Sequence, residues 1–478
     1  MKARIFFVAL LAAVGALFPL SAEYNKLGIP DSTEIRANLV RKWFTAPLDQ
    51  VRANSREVYT NDIGTHFQVR VEELKDTFAV IVAPEVSMPM ELYTESGVEQ
   101  FFDKEYPDNA YGAWVLVRNS ATGKPVSLRV YVSQNSNVFV QFLPERNTVR
   151  ADFVIDGCFA ARGVPTGITF NQLYTASLAR ILSLTERTLP WYYADVRTGQ
   201  YGDTLQMIGV IRKNLPRITP TEDAAYNEDG EPISISSGEA RFVASQERNL
   251  NKLSLSSAGF VKWVVDGLVE PLTGSYTYLA PLLRQTVELN PLSHAGIVYN
   301  GRRTEDEKNS DGVEVSFTLN WTRNLAAARL SAQTKKNYLY NESGMDVTVN
   351  PFNGELKKDG SVQQAVGYVA NTGYQLERLR PLLYTLAINE PTYCYLAAIR
   401  TRNDSYIKKA NNAQVEEPEI YLFEQAAVIF PYFDSKGIFR CSVFENGKEL
   451  TLRQFMQKYD GCFVHLTRVL TSRNFFPQ

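Results

Sequence analysis

The sequence predicts an α+β protein in which a small N-terminal antiparallel β domain precedes a larger domain of mixed helices and strands. Short alternating segments separated by turn residues occupy residues 57–150, and apolar stripes of helical period follow after residue 170. The chain of 478 residues is too long for one ordinary core, and its composition of 45% hydrophobic and 21% charged residues is typical of folded proteins.

The N-terminal residues 1–22 have the layout of a secretory signal peptide. Two early cations, Lys2 and Arg4, precede an apolar run, and the small residues Ser21 and Ala22 close it. We expect cleavage there and export to the periplasm or cell envelope. Retention as an N-terminal anchor is the alternative, because about 20 apolar residues can span a bilayer. An uncleaved signal would be the only route to membrane attachment.

Net charge and motif content exclude several functional classes. A net charge of −2 gives no electrostatic basis for binding nucleic acid. The sequence contains no GxGxxG, Walker, HExxH or GxSxG motif, so nucleotide-binding, zincin and classical hydrolase functions have no support. Its three scattered histidines argue against a histidine-based metal site. We therefore predict no cofactor, no metal and no nucleic-acid partner.

The N-terminal half divides into two segments. Residues 23–56 carry apolar residues near helical spacing and predict one or two short helices. Residues 57–150 predict the antiparallel β domain. In this domain Leu128, Val130 and Val132 alternate with Arg129 and Tyr131, a pattern typical of a sheet with one face in water.

The predicted second domain covers residues 151–478. A helical run begins near residue 170 and ends at Pro190. Three polar stretches within the domain, residues 221–240, 302–312 and 402–419, predict exposed loops between packed elements.

One segment of the second domain carries a family resemblance. Serines precede an apolar stripe of helical spacing that begins at Phe260, and these serines can cap the helix. Here Ser-Ala-Gly-Phe-Val-Lys-Trp at 257–263 resembles the Cys-Ser-Gly-Phe-Val signature of the NlpC-type papain-like cell-wall peptidases. In that family a cysteine opens the helix and a histidine on a neighbouring strand completes the catalytic pair. The resemblance implies a papain-like α+β fold and a cell-wall peptide ligand.

Ser257 stands where the family has its cysteine. A helix N-terminus stabilises a thiolate, but it does not ionise a serine hydroxyl in the same way. We therefore expect most papain-like activity to be lost, unless the site is rebuilt around serine.

Two positions compete for the place of the family's histidine. Gln425 lies in a segment with strand, turn and returning strand, which matches the family's pattern around its histidine. His294 is a real histidine ahead of Ala-Gly-Ile-Val-Tyr, at a spacing from Ser257 closer to that of compact family members. We favour Gln425. On this interpretation the chain has lost both the nucleophile and the base of the family. On the alternative, Ser257 and His294 form a Ser-His pair, with Asn320 orienting the imidazole.

The cysteines offer a weaker candidate nucleophile. Cys158 follows Asp-Gly at a turn, although a small buried residue after a strand is the simpler interpretation. Cys158, Cys394, Cys441 and Cys462 contain no CxxC spacing, and both disulfide formation and reduced, buried thiols stay open. We interpret His66 and His465 as structural.

Three functional hypotheses follow. The first is an exported envelope protein with an impaired papain-like domain that binds peptidoglycan peptide or an envelope protein. The second is an active cell-wall peptide hydrolase that uses Ser257 or Cys158 with His294. The third is a structural envelope adaptor without an ancestral active site.

Overall fold

The computed structural model describes residues 25–94, 97–134, 136–242, 252–289, 315–357, 360–365, 367–402 and 421–477. The predicted signal peptide, His294, the stretch 302–312 and residues 403–419 lie outside the described residues. Helices and antiparallel sheets together build the described part of the chain, and the α+β class with an N-terminal β domain is confirmed. None of the described helices has the length and apolar character that a membrane span requires.

The helices are short in the N-terminal half and longer around the candidate site. They are α1 (Thr33–Leu39), α2 (Leu48–Arg52), α3 (Phe170–Thr175), α4 (Leu178–Thr185), α5 (Gly202–Asn214), α6 (Ser257–Thr273), α7 (Leu279–Leu282), α8 (Phe317–Thr334), α9 (Tyr340–Ser343), α10 (Leu379–Asn389) and α11 (Leu452–Lys458). A π-helical turn at Val40–Phe44 continues α1.

The strands up to residue 165 are β1 (Glu57–Thr60), β2 (His66–Glu73), β3 (Thr77–Pro84), β4 (Val86–Thr94), β5 (Gly97–Glu105), β6 (Trp114–Asn119), β7 (Pro125–Tyr131), β8 (Val138–Glu145), β9 (Thr148–Ile155) and β10 (Cys158–Pro165). Short strands follow at β11 (Ile218–Pro220), β12 (Ala224–Tyr226), β13 (Pro232–Ser234), β14 (Leu253–Leu255), β15 (Gly354–Leu356), β16 (Val362–Gln363) and β17 (Tyr374–Gln375). The last strands are β18 (Tyr393–Arg402), β19 (Tyr421–Phe433), β20 (Phe439–Glu445), β21 (Lys448–Thr451) and β22 (Phe463–Leu470).

The first sheet has ten antiparallel strands in the order β1-β2-β3-β6-β7-β8-β9-β10-β15-β16. It extends past the predicted boundary at residue 150, and β15 and β16 join it from the C-terminal half. The hairpin of β4 and β5 pairs only with itself and was not anticipated from the sequence. Local periodicity also cannot reveal that β15 and β16, which are distant in sequence, pair with the edge of this sheet.

Both faces of this sheet are covered around β7, β8 and β10. Leu128, Val130 and Val132 point into the main core as their alternation predicts. On the other face Tyr131 is only 6% exposed, because Phe139 and Phe159 pack around it in a second, smaller cluster. The predicted water-facing side is therefore partly buried.

The second sheet has six antiparallel strands in the order β17-β22-β18-β19-β20-β21. Apolar side chains of α6 and α8 pack on one face of it, together with residues such as Val428 and Phe430 of β19. Side chains of α10 pack with Ala427 and Ile429 from the opposite face. Since that second cluster also contains the first sheet, the two sheets share a continuous core.

Residues 221–240 differ from the exposed loop that the sequence predicts. They contain the antiparallel hairpin of β12 and β13, and Ala224, Ala225, Ile233 and Ile235 are buried. Ala225, Ile233 and Ile235 pack in one hydrophobic cluster with Ala258 and Phe260, which brings the hairpin against the start of α6.

Candidate functional site

The first turn of α6, where Ser257 lies, is fixed from two sides. Ser256 caps the helix: its Oγ accepts a hydrogen bond from the Gly259 N–H at 3.0 Å and donates to the Ala224 carbonyl of β12 at 3.1 Å. From α8, the indole N–H of Trp321 donates to the Ala258 carbonyl at 2.9 Å. The position of Ser257 is therefore set by a strand on one side and a helix on the other.

Gly259 explains part of the sequence signature in physical terms. A Cβ atom at this position would lie 2.0 Å from the Ala224 carbonyl oxygen, far inside van der Waals contact. Only glycine lets α6 approach β12 this closely. The glycine of the Ser-Ala-Gly-Phe-Val segment is thus a packing requirement of the helix start.

Ser257 and Gln425 line one cavity of about 790 Å³. Ser257 comes from the start of α6, Gln425 comes from β19, and Asn446 reaches the same cavity from the turn between β20 and β21. The sequence predicts the pairing of Ser257 with the segment of Gln425 through the family resemblance, and the structure places both on the same cavity.

A β-bulge lies at the position of Gln425. Ile399 of β18 pairs with Gln425, and the next residue, Arg400, pairs with Phe423, so that Glu424 is an additional residue in β19. Bulges bend a strand and re-aim its side chains, and they are common beside functional sites. Phe423, Glu424 and Gln425 all line the cavity as a result.

Sequence analysis did not identify Asn446. Asn446 and Gly447 have φ values of 47° and 72°, which form the tight turn that joins β20 to β21. The Asn446 Oδ1 atom is buried and accepts no hydrogen bond from any described residue. Asn-Gly between two strand segments predicts the hairpin, but only the tertiary structure brings this side chain to Ser257's cavity.

Two further polar side chains of the cavity are available to a ligand. Among the described residues, none forms a hydrogen bond with the Ser257 hydroxyl or with the Gln425 amide. Polar groups that converge on a cavity without protein partners can pair with a bound molecule. A hydroxyl and two amides offer donors and acceptors of the kind that recognise a peptide backbone.

The charged residues that line the cavity are carboxylates, and the Arg241 guanidinium lies beside them, donating to the Glu222 carbonyl at 3.1 Å. Glu222, Asp223 and Glu424 line the cavity, and its described lining contains no lysine, arginine or histidine. Burial alone would raise the pKa of the Asp223 carboxyl, but hydrogen bonds from Ser234 and Ser236 lower it below its usual value. Asp223 therefore stays ionised at neutral pH. The sequence does not reveal this contribution, because the composition of residues 221–240 is typical of a solvated loop.

The other predicted candidates have different environments. Cys158 lies in β10 of the first sheet, is 2% exposed, and has a pKa raised by burial to about 12. A thiol of this kind is protonated at neutral pH, whereas a nucleophilic cysteine needs a lowered pKa. Because His294 lies outside the described residues, the Ser257–His294 pair stays a prediction.

Asn320, the predicted partner of His294, is 2% exposed and is hydrogen-bonded to the neighbouring described residues. Its Oδ1 accepts hydrogen bonds from the Thr286 N–H at 2.8 Å and from the Thr286 hydroxyl at 2.6 Å. Its Nδ2 donates to the Ser316 hydroxyl at 2.9 Å. These bonds fix the segment before α8 to the helix.

His465 and the cysteines show no arrangement for metal binding. His465 of β22 is fully buried, with its Nε2 3.4 Å from an oxygen of Asp346 and 3.4 Å from a guanidinium nitrogen of Arg323. All four cysteines are free. Among the described residues, no group of three or more His, Cys, Asp or Glu side chains could hold a metal ion.

The fold and the site define an α+β protein with two antiparallel sheets and an acidic cavity at the start of a buried helix. The family described as a domain of unknown function (DUF8515) matches residues 25–193. This range contains α1 to α4 and β1 to β10, and it ends before the helix of Ser257. No curated protein and no solved structure matches the chain.

Proposed function

We propose that this chain is an exported cell-envelope protein whose C-terminal half is a papain-like domain with an impaired active site that binds the peptide part of peptidoglycan. The observation that supports the proposal is the meeting of Ser257, at the start of a buried helix, with Gln425, on the neighbouring sheet, at one cavity. The resemblance assigns these two positions to the family's cysteine and histidine.

The chemistry of the two side chains favours binding over covalent catalysis. A serine hydroxyl needs an adjacent base to act as a nucleophile, and a glutamine amide is not a base. Glu222, Asp223 and Glu424 add negative charge around Ser257, which opposes the formation of an alkoxide there.

The ligand class follows from the lining. Ser257, Gln425 and Asn446 can pair with peptide N–H and C=O groups, and the carboxylates attract a positively charged amino group. A volume of about 790 Å³ lies within the range of small-ligand sites. A short peptide with a free amine, as in a cell-wall stem peptide, combines both features. The alternative partner is an envelope protein that inserts such a peptide into the cavity.

Binding to isolated sacculi and to purified muropeptides tests the proposal. Ser257→Trp fills the cavity and is expected to abolish retention on sacculi, whereas Ser183→Trp, at an exposed position of α4, leaves it unchanged. Failure of the unaltered protein to bind sacculi or muropeptides would remove the proposed ligand and favour the adaptor hypothesis.

Incubation of the mature protein with muropeptides separates binding from hydrolysis. The proposal expects intact muropeptides after incubation, as judged by chromatography. Cleavage that Ser257→Ala abolishes would instead establish an active hydrolase.

A further inference from the structure

A second groove lies at the other end of α6 from Ser257. It has a volume of about 590 Å³ and runs between the C-terminal halves of α6 and α8, closed at its ends by α7 and by the segment before α9. The size is that of a pocket for a small organic molecule.

Aromatic and aliphatic side chains form most of the groove. Tyr276, Tyr278, Tyr338 and Tyr340 all line it. Apolar surface on its rim stays in contact with water: Tyr278 is 59% exposed and Leu339 is 46% exposed. Large apolar side chains left exposed around a concave site are typical of a surface that buries a ligand.

The loop that carries two of these tyrosines is fixed by a buried ion pair. Lys262 and Asp266 of α6 are 1% and 7% exposed, and their charged atoms are 2.6 Å apart. Asp266 also accepts hydrogen bonds from the N–H and the hydroxyl of Thr277, at 2.8 and 2.6 Å. Tyr276 and Tyr278 are therefore held in place before any ligand arrives.

Side chains of α8 fix the other two walls. The Asn324 amide donates to the carbonyls of Leu282 and Arg284, at 3.0 and 2.7 Å. Ser331 accepts a hydrogen bond from the Tyr338 N–H at 2.9 Å. With all three walls hydrogen-bonded to helices, the groove is preorganised, which lowers the entropic cost of binding.

The charge of the groove is opposite to that of the cavity at Ser257. Arg284, Lys335 and Lys336 line it, and its described lining contains no aspartate or glutamate. An apolar groove whose described charged lining residues are all cations is complementary to a molecule with an apolar body and an anionic head.

We propose that this groove binds an amphipathic organic anion, with its hydrocarbon part among the tyrosines and its carboxylate at Lys335, Lys336 and Arg284. A medium-chain fatty acid is a simple molecule of this class. The site is independent of the proposed peptide cavity, because the two share no lining residue.

Calorimetric titration with three probes of equal chain length tests the charge preference. We expect decanoate to bind the full-length mature protein more tightly than decanol, and decyltrimethylammonium to bind most weakly. Equal affinity for the three probes would overturn the proposal, as would association with anionic lipid vesicles in the absence of decanoate binding.

Two variants locate the binding. Lys335→Gln with Lys336→Gln is expected to weaken decanoate binding about tenfold, since each exposed charge contributes up to about 1 kcal/mol, and to leave decanol binding unchanged. The matched control is Lys124→Gln with Lys213→Gln, which changes two exposed lysines outside the groove lining. This control should alter neither decanoate binding nor decanol binding. Unchanged decanoate affinity in the lysine variant of the groove would contradict the proposal.

The second variant, Ala328→Phe, fills the groove and is expected to abolish binding of both decanoate and decanol. Its thermal unfolding, measured by circular dichroism, shows whether the fold is retained. If the fold is lost, the Lys335→Gln, Lys336→Gln variant tests the proposal instead. Binding of decanoate to folded Ala328→Phe with full affinity would place the ligand elsewhere and overturn the proposal.

Discussion

Single residues decide what each polar cluster of this protein can do. At the start of α6, Ser257 offers a hydroxyl that forms no hydrogen bond with the described residues, where the resembling family offers a thiolate, so the same position can bind but lacks an ionised nucleophile. At His465, by contrast, burial and the neighbours Asp346 and Arg323 leave no access to a ligand. The two polar residues differ in exposure, and the difference separates a binding role from a structural one.

The buried cluster around His465 predicts a loss of stability in acid. Burial, the largest influence, lowers the pKa of His465, with Asp346 opposing and Arg323 assisting this shift. Burial alone would raise the pKa of Asp346, but His465 and Arg323 lower it. Both groups then bind protons more readily in the unfolded chain. Stability is therefore expected to fall as the pH drops below about 6.5, the ordinary pKa of histidine.

Urea unfolding between about pH 5 and pH 8 measures this effect. In His465→Gln, the slope of stability against pH near 6 should decrease, by at most about 1.4 kcal/mol per pH unit. The unaltered protein, measured over the same pH range, is the control. Identical slopes in His465→Gln and the unaltered protein would show that the cluster does not titrate as described.

Among the elements, the approach of α6 to β12 determines where Ser257 lies. Gly259→Ala would place a methyl group against the Ala224 carbonyl and push the helix start from the strand. We expect a loss of about 1–3 kcal/mol in the free energy of unfolding, measured with urea. Gly209→Ala in α5 is the matched control, because a Cβ there meets nothing within 4 Å. The control should unfold at an equal or higher urea concentration, since alanine favours helix.

Equal stability of the two alanine variants would mean that the close approach of α6 to β12 does not matter. The fluorescence of Trp321, which is hydrogen-bonded to Ala258, offers a local probe of the same shift.

Most elements could be predicted from the sequence where one period dominates. A continuous apolar run predicts β3, and apolar residues at helical spacing predict α6. The hairpin of β12 and β13 could not be predicted, because its few apolar residues lie among charged ones. Likewise, Gln425 follows from a strand-turn-strand pattern, whereas Glu222 and Asn446 reach the cavity only through tertiary contacts.

At the scale of the whole molecule, the two sheets are joined into one folding unit. The main hydrophobic cluster runs from the first sheet through α10 to the second sheet. Polar contacts cross at the same place: Arg380 of α10 pairs with Asp156 at 3.0 Å, and the Tyr384 hydroxyl donates to the Tyr193 carbonyl at 2.9 Å. The boundary predicted at residue 150 reflects a change of sequence pattern, which carries no information on such long-range contacts.

This architecture predicts that the family-matched segment is not stable alone. A fragment of residues 25–193 lacks β15 and β16 at its sheet edge and lacks α10 on its core. Exposed apolar surface and an open edge favour aggregation. We expect aggregation or strong binding of a hydrophobic dye by the fragment, measured by size-exclusion chromatography and dye fluorescence, with the full-length chain as control. A monomeric fragment with cooperative unfolding and no dye binding would contradict the shared core.

Restoring the family's two residues tests the proposed papain-like arrangement of Ser257 and Gln425. Ser257→Cys with Gln425→His should form a thiolate–imidazolium pair, because a neighbouring imidazolium lowers the pKa of a thiol. The control, Ser257→Cys with Glu34→His, places the imidazole on exposed α1 instead. Burial raises the pKa of all four native thiols, those of Cys158, Cys394, Cys441 and Cys462, so they add little background.

The measurement is the rate of alkylation by iodoacetamide near neutral pH. The thiol of the Ser257→Cys, Gln425→His variant is expected to react at least about tenfold faster than that of the control, since its thiolate fraction is larger. Equal rates in the two variants would show that residues 257 and 425 do not face each other as a nucleophile and its base do, and would contradict the papain-like interpretation of this protein.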